Sequence, residues 1–352
     1  MAIELNYRHN LQDDDEADIN GIPSPGTPNS MGFDDDHDDD SSSDTSSILT
    51  ELGADEFPGH FREHGGRLFH SHGNLPYPLP VDADEQARLD LQHKILRDLL
   101  GSHFVGPVAE SLAHESSRQK RVLDLCTGTG RWVMDMASQF RHVRFSGVDI
   151  VPIATRRPHS NANFEILDVT QPLRWADGVM DFVHARSKQI ANYPAMLREA
   201  ARVLRPGGIF FSGEIGRYVA FAPGYPSNPA VDAPGATRFF KVINDLLERI
   251  RLHEITGHIP HWLRRTGMFT GGRIQEHLIP IGEWHPSSRQ RALGRAYLDA
   301  MTVFAESLKP FLRGQGGLSE REIFELIDGY VRDMRGVPGL VSVYQTVWAI
   351  KA

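Results

Sequence analysis

From residue 121 onward the chain alternates short runs of β-branched and aromatic residues with stretches in which apolar side chains recur every three or four positions. The first pattern suits strands buried on both faces, and the second suits helices with one apolar stripe. The runs predict strands at Val122–Cys126, Val143–Val148, Asn163–Leu167, Val179–His184 and Ile209–Glu214. Between them Trp132, Val133, Met136 and Phe140 form one helical stripe, and Met196, Leu197, Ala200, Val203 and Leu204 another. The second helix is expected to end at Arg205-Pro206-Gly207-Gly208, where proline cannot continue it and glycine accepts positive φ. Such alternation is the signature of an α/β sheet with helices on both faces. Beyond it, a Pro- and Gly-rich stretch at 215–236 leads to a helix near Thr237–His253. A strand near Arg273–Ile281, helices near Arg289–Phe311 and Ser319–Arg335, and a last strand at Val341–Ile350 complete the pattern.

Upstream the pattern differs. Between Phe61 and Leu100, Leu89, Ile95, Leu96, Leu99 and Leu100 follow the helical period, with Asp82 or Asp84 as the cap. Residues 1–58 have too few apolar groups to repay the entropy of ordering, and are expected to be a disordered acidic, Ser-rich tail. A helical lead-in would then span 59–115, and one domain 116–352, with an insertion around 215–272. The charge supports this division: the formal net of −9 combines −15 over residues 1–60 with +6 over the remainder. Serines among the tail's acids are candidate phosphorylation sites, and the tail is a candidate surface for a regulatory partner.

Composition narrows the class. With 40% hydrophobic and 24% charged residues, and no apolar run of about eighteen residues, the chain reads as globular rather than membrane-spanning. Cys126 is the single cysteine, which excludes an intrachain disulfide and any CxxC metal or redox site. The start, MAIELNYRHN, lacks a basic region followed by an apolar stretch, so an intracellular location, cytoplasmic or nuclear, is expected.

The chemistry concentrates after the first strand, in Val122-Leu-Asp124-Leu-Cys126-Thr127-Gly128-Thr-Gly130-Arg131-Trp132-Val133. A buried strand ending in an acid, then small residues, then a helix brings backbone amides close to a nucleotide-like ligand. The third glycine of the dinucleotide fingerprint is replaced by Val133, which argues against NAD, and no GxxxxGK[ST] is present for a triphosphate. The second strand ends at Asp149, 19 residues after Gly130 and suited to accept from ribose hydroxyls. The third ends at Asp168-Val169, suited to an adenine amino group. This set fits an adenosine ligand without phosphates.

Together with Asp181-Phe182-Val183-His184-Ala185-Arg186 and Leu204-Arg205-Pro206-Gly207-Gly208, these motifs resemble those of class I S-adenosylmethionine-dependent methyltransferases. Among them the chain is most similar to the LaeA-like fungal methyltransferases, a family that includes a nuclear regulator of secondary metabolism. Tyr77-Pro-Leu-Pro80, the Asp84–His93 segment and Pro280-Ile281-Gly282-Glu283-Trp284 extend the similarity over residues 65–352. The resemblance implies a Rossmann-like α/β fold, with a seven-stranded mixed sheet of order 3-2-1-4-5-7-6 whose seventh strand is antiparallel. It implies S-adenosyl-L-methionine as cofactor, bound by Tyr77, Asp124, Cys126, Thr127, Gly128, Gly130, Asp149, Ile150, Asp168, Val169 and His184. Cys126 departs from the family, which usually has glycine there.

Methyl transfer from a sulfonium asks the protein to align the acceptor, exclude water and accept a proton where the acceptor is a hydroxyl or amine. His184 and Arg186, after the fourth strand, and Glu214, after the fifth, are the candidate polar groups. His184 serves as a general base or as a structural group, and Arg186 orients an acidic acceptor or joins an internal salt bridge. Residues 215–285 are expected to supply the acceptor pocket, with Trp262, Phe269 and Trp284 as lining or core. The acceptor is a small molecule or a protein; the alternative is a non-catalytic regulator acting through partner assembly. His253-Glu254 and His258 mimic a zinc motif at the wrong spacing, and no metal, membrane or direct nucleic-acid partner is expected. His70 and His72 read as surface residues.

Overall fold

A computed structural model of the protein describes residues 52–72, 75–186, 190–225 and 228–352. Most of the acidic tail therefore lies outside the described residues, which form a single unit. The lead-in opens with strands rather than a helix: β1 (Phe61–His64) and β2 (Arg67–His70) form an antiparallel hairpin. Gly65 and Gly66 between them both take positive φ, 59° and 72°, as a two-residue hairpin turn requires. Then comes α1 (Ala83–Leu100), capped by Asp82, whose side chain accepts from the Glu85 N–H and also holds Arg67 of the hairpin. Gly101, left-handed at φ 69°, ends the helix.

A short α2 (Val108–Ser111) leads into β3 (Arg121–Leu125), α3 (Arg131–Gln139), β4 (Arg144–Asp149), β5 (Ala162–Ile166), β6 (Met180–Arg186), α4 (Tyr193–Val203) and β7 (Leu204–Ile215). After β8 (Ala220–Phe221) and the short α5 (Pro229–Asp232) come α6 (Pro234–Arg249), α7 (Ile259–Thr266) and β9 (Phe269–Pro280). The chain finishes with α8 (Ser288–Ser307), α9 (Lys309–Gly314), α10 (Glu320–Gly336) and β10 (Leu340–Lys351). The stretch expected as one helix over 289–311 is thus two, with Pro310 in the first turn of the second.

The sheet runs β5-β4-β3-β6-β7-β10-β9, parallel from β5 to β7, with β10 antiparallel to both of its neighbours. This is the order 3-2-1-4-5-7-6 expected of a class I methyltransferase. The two-residue β8 adds an eighth strand, pairing with Leu340 and Val341 on the edge of β10 that β7 occupies further along. The Arg205-Pro206-Gly207-Gly208 turn does not extend α4, which stops at Val203; it lies within β7. There the ladder shifts register, passing from Met180↔Leu204 to Phe182↔Ile209, because an extra loop of chain is accommodated around Gly207 at φ 79°.

Strand residues alternate between two cores, as a period of two demands. Leu123, Leu125, Val183, Ala185 and Phe210 pack under α4 and α7, and Val122, Phe145, Phe182, Ile209 and Phe211 under α2 and α3. A third core joins α1, α6, α8 and α10 through Leu96, Phe239, Ile243, Tyr297, Leu326 and Tyr330. It sets α1 across the carboxyl ends of the parallel strands, where the site lies. Among the described residues no helix is long and apolar enough to cross a membrane.

Candidate functional site

The cleft begins where β3 stops. Cys126 takes left-handed φ of 56°, the conformation a glycine would adopt without strain, and the chain turns through Thr127 and Gly128 into α3. The turn is fixed by hydrogen bonds: the Thr127 hydroxyl donates to Asp124 Oδ2 at 2.7 Å, and the Thr127 N–H to the Val148 carbonyl at 2.9 Å. The Gly128 N–H donates to Asp149 Oδ2 at 2.8 Å, so the acid ending β4 tethers the loop leaving β3. Asp149 Oδ1 accepts from the Val151 N–H at 3.2 Å. Burial raises the Asp149 pKa, against backbone N–H donors that lower it; the nearby Asp124 charge adds to the rise. Asp168, beyond β5, accepts from the N–H and hydroxyl of Thr170 through Oδ1, at 2.9 and 2.7 Å.

Thus Asp124, Cys126, Thr127, Gly128, Asp149, Ile150, Asp168, Val169, His184 and Tyr77 all line one cleft. Gly130 does not. A Cβ built there would fall 2.5 Å from Phe164 Cζ, whereas one on Gly128 would meet nothing nearer than Leu89 Cδ1 at 3.7 Å. Gly130 is a packing and capping glycine, at φ 75° before α3, and Gly128 is the one facing the open space. Tyr77 closes the cleft from the lead-in beside Leu75 and Pro76, its ring edge-on to His70 at 5.9 Å, and burial pushes its phenol pKa well up. His70 itself is only 2% exposed, so it is not the surface residue its polar neighbours suggest.

His184 occupies a confined place. Its ring lies between Trp132, with centroids 3.6 Å apart and planes 3° from parallel, and Phe211, at 5.1 Å and 7°. Its Nδ1 is 2.7 Å from Asp124 Oδ1. Stacked on both faces and bonded at one edge, it supports Asp124 in the manner of a structural group. Arg186, two residues further along β6, donates from Nη2 to His93 Nδ1 at 3.0 Å, and no internal salt bridge of Arg186 occurs among the described residues. His93, on α1, also meets Asp135 of α3 through Nε2 at 2.9 Å. Sequence spacing gave no sign of His93 or Asp135, because α1, α3 and β6 are brought together only by tertiary packing.

A second space adjoins the cleft, sharing Tyr77, Leu89 and Gln92 with it. Its wall is largely apolar, with Leu79, Phe240, Ile255, Met301 and Phe304, around the buried Glu214 and the ion-paired Arg88 and Arg217. Arg88 is buried with Glu85 at 2.6 Å, and Arg217 lies 3.4 Å from Glu254. Of the segment expected to build the acceptor pocket, residues 215–217, 240, 254 and 255 do line this space. Trp262, Phe269 and Trp284 do not: Trp262 stacks on Tyr193, Phe269 lies tilted against Phe210, and Trp284 meets Tyr225 edge-on.

Residues 122–208 match a family described as a methyltransferase domain. The chain is a class I S-adenosylmethionine-dependent methyltransferase with a Rossmann-like fold. Over 284 residues it is 29% identical to the secondary metabolism regulator laeA of Coprinopsis cinerea, covering 77% of this chain and 69% of that protein. Over 265 residues it is 29% identical to the protein-methionine methyltransferase laeA of Emericella nidulans, covering 72% and 66%. In sequence it is LaeA-like. Among solved structures it is similar to Haemonchus contortus phosphoethanolamine N-methyltransferase 2 in complex with S-adenosyl-L-methionine, with TM-score 0.44 and 15% identity over 84% of this chain and 72% of that one.

Proposed function

We propose that the cleft at the ends of β3, β4 and β5 holds S-adenosylmethionine, and that the adjoining space receives the methyl acceptor. The observation that carries this reading is the convergence of Asp124, Asp149 and Asp168, from three neighbouring strands, on a cleft in which the Gly128 turn leaves room where a side chain would project. When bound, the cofactor supplies a methyl group made electrophilic by its sulfonium. Asp149 would receive the ribose hydroxyls, since each of its oxygens keeps an acceptor site beyond its backbone bond. Asp168 and Val169 would meet the adenine, and Asp124, braced by Thr127 and His184, the amino-acid arm. Tyr77 and Leu89 form the partition through which donor and acceptor would meet, and their apolar surfaces exclude water.

His184 is 1% exposed and commits its Nδ1 edge to Asp124, so it is assigned to supporting Asp124, and an acceptor with no proton to lose needs no base in its place. A methionine thioether, the acceptor class named for the Emericella nidulans relative, has this property. A regulatory role stands beside this reading, supported by the names of the relatives as secondary metabolism regulators; the acidic residues 1–58 would then recruit a partner in cytoplasm or nucleus. Calorimetric titration with S-adenosylmethionine and S-adenosylhomocysteine tests the cofactor site. Asp149→Ala is expected to weaken both ligands at least tenfold, and full affinity in that variant refutes the assignment.

A further inference from the structure

Arg186 follows His184 by two residues, so both side chains project from the same face of β6 into the cleft. The inner one is committed to Asp124, its partner across the β3–β6 ladder. The outer one brings a guanidinium, and the groups behind it fix its direction. Because His93 Nδ1 accepts from Arg186, the imidazole proton lies on Nε2 and is donated to Asp135. Burial, and after it the Arg186 charge, lowers the His93 pKa to about 4, which keeps the ring a neutral acceptor above that pH.

His93, His103 and Asp135 stand close enough to suggest a cation site. The hydrogen bond from Arg186 excludes that use: a metal on Nε2 needs the proton on Nδ1, where Arg186 already donates, and the guanidinium adds a fixed positive charge beside it. The row Asp135–His93–Arg186 does something else. It anchors one of the five guanidinium N–H groups on an uncharged partner and leaves the positive charge without a carboxylate partner among the described residues. A fixed guanidinium at the wall of a cleft matches an oxyanion, and a carboxylate matches it in two parallel hydrogen bonds. The other charged groups of the cleft are the three acids and Arg131, which is exposed at the first turn of α3.

We propose that Arg186 binds the α-carboxylate of the cofactor's amino-acid portion, and that His93 and Asp135 are positioning residues that aim it. The inference rests on the reading of this cleft as the cofactor site. It divides the ligand by charge: Asp149 and Asp168 serve the nucleoside end, and Arg186 serves the anionic end.

The test compares S-adenosylhomocysteine with 5′-methylthioadenosine, which keeps the nucleoside thioether and lacks the amino-acid group. Calorimetry on the full chain reads the ratio of the two affinities. Arg186→Gln is expected to weaken S-adenosylhomocysteine by about 10- to 100-fold and methylthioadenosine by less than twofold. Arg186→Lys retains part of the difference and serves where the glutamine variant folds poorly. His93→Leu should shift the ratio in the same direction by less, whereas a purely structural defect would weaken both ligands together. Asp149→Ala is expected to weaken both. Equal losses for the two ligands in Arg186→Gln, or no loss, overturn the proposal while leaving the cofactor site standing. A selective loss in Arg131→Gln instead of Arg186→Gln also overturns it. Failure of the folded wild-type protein to bind either ligand overturns both this proposal and the site on which it rests.

Discussion

Replacing Gly130 with alanine separates the two glycines of the loop. The ring of Phe164 lies over this position, so the new Cβ would stand 2.5 and 2.6 Å from two of its carbons and 3.3 Å from Ala154 Cβ. Neither of the ring atoms can give way easily, because the same ring lies 2.8 Å from where a Cβ on Gly147 would fall. Left-handed backbone costs alanine about 1 kcal/mol, and overpacking adds about 1–3 kcal/mol. A smaller entropy loss on folding returns about 0.5 kcal/mol. Gly130→Ala should therefore destabilise the protein by about 1.5–3.5 kcal/mol. Gly128→Ala carries the same backbone cost but meets open space, so about 0.5–1 kcal/mol is expected for it. Denaturant melts monitored by circular dichroism measure both, and titration with S-adenosylhomocysteine should reverse the ranking, with Gly128→Ala the weaker binder per unit of stability lost. Phe164→Leu in the Gly130→Ala background should recover at least half of the loss. Equal destabilisation by the two alanines, or no recovery with Phe164→Leu, would refute the reasoning.

Two further outcomes concern buried charges. Asp181 has a fully buried side chain held by Arg118, the Arg121 N–H at 2.9 Å and Arg205 at 2.6 Å; burial alone would raise its pKa, but these donors outweigh it and the pKa falls below the ordinary 3.8. Its contribution is complete above the ordinary value and lost as pH drops through the lowered one, so Asp181→Asn should destabilise by about 2 kcal/mol at pH 7 and by progressively less below pH 4 in urea melts. Glu85 and Arg88 are both nearly inaccessible, at 1% and 5% side-chain exposure, so Glu85→Ala should cost about 3–5 kcal/mol. Glu85→Leu with Arg88→Met should cost less than Glu85→Ala alone, and a double variant less stable than the single would contradict this.

The strands were legible as apolar runs, although of the parallel strands only β3 and β6 are followed directly by a helix, whereas their order was expected from the family resemblance alone. Asp82 was among the two expected caps, and the cleft gathers ten of the eleven residues assigned to it from motifs. What motifs could not convey is why a residue is kept. Gly130 looks like a ligand glycine, yet the reason is a phenylalanine 34 positions later. His184 looks like a base, and only packing shows the rings of Trp132 and Phe211 on its two faces. The hairpin at 61–70 carries a turn signal in Gly65-Gly66, but its four-residue strands, Phe-Arg-Glu-His and Arg-Leu-Phe-His, hold too few apolar residues to show an alternation. The Asp135–His93–Arg186 row was not readable, because its members lie 42 and 93 positions apart and meet only after α1 has docked.

Helix α1 is the common wall of the two spaces, with Leu89 and Gln92 facing both. It is tied to the hairpin at Asp82, to α8 through the Glu85–Ser307 bond of 3.2 Å, and to the Gly loop through Asp90 and Thr129 at 2.7 Å. With donor and acceptor placed as proposed, a wall held on both sides predicts that the two ligands are kinetically dependent on one another. On the proposed assignment of the two spaces, occupancy by the donor would steady the face that the acceptor must touch, and a compulsory order is expected, with the donor arriving first and the demethylated donor departing last. In initial-rate terms, S-adenosylhomocysteine would compete with the donor and inhibit noncompetitively against the acceptor. The rate of release would then be set by how readily this one helix, with its hairpin strap, lets go.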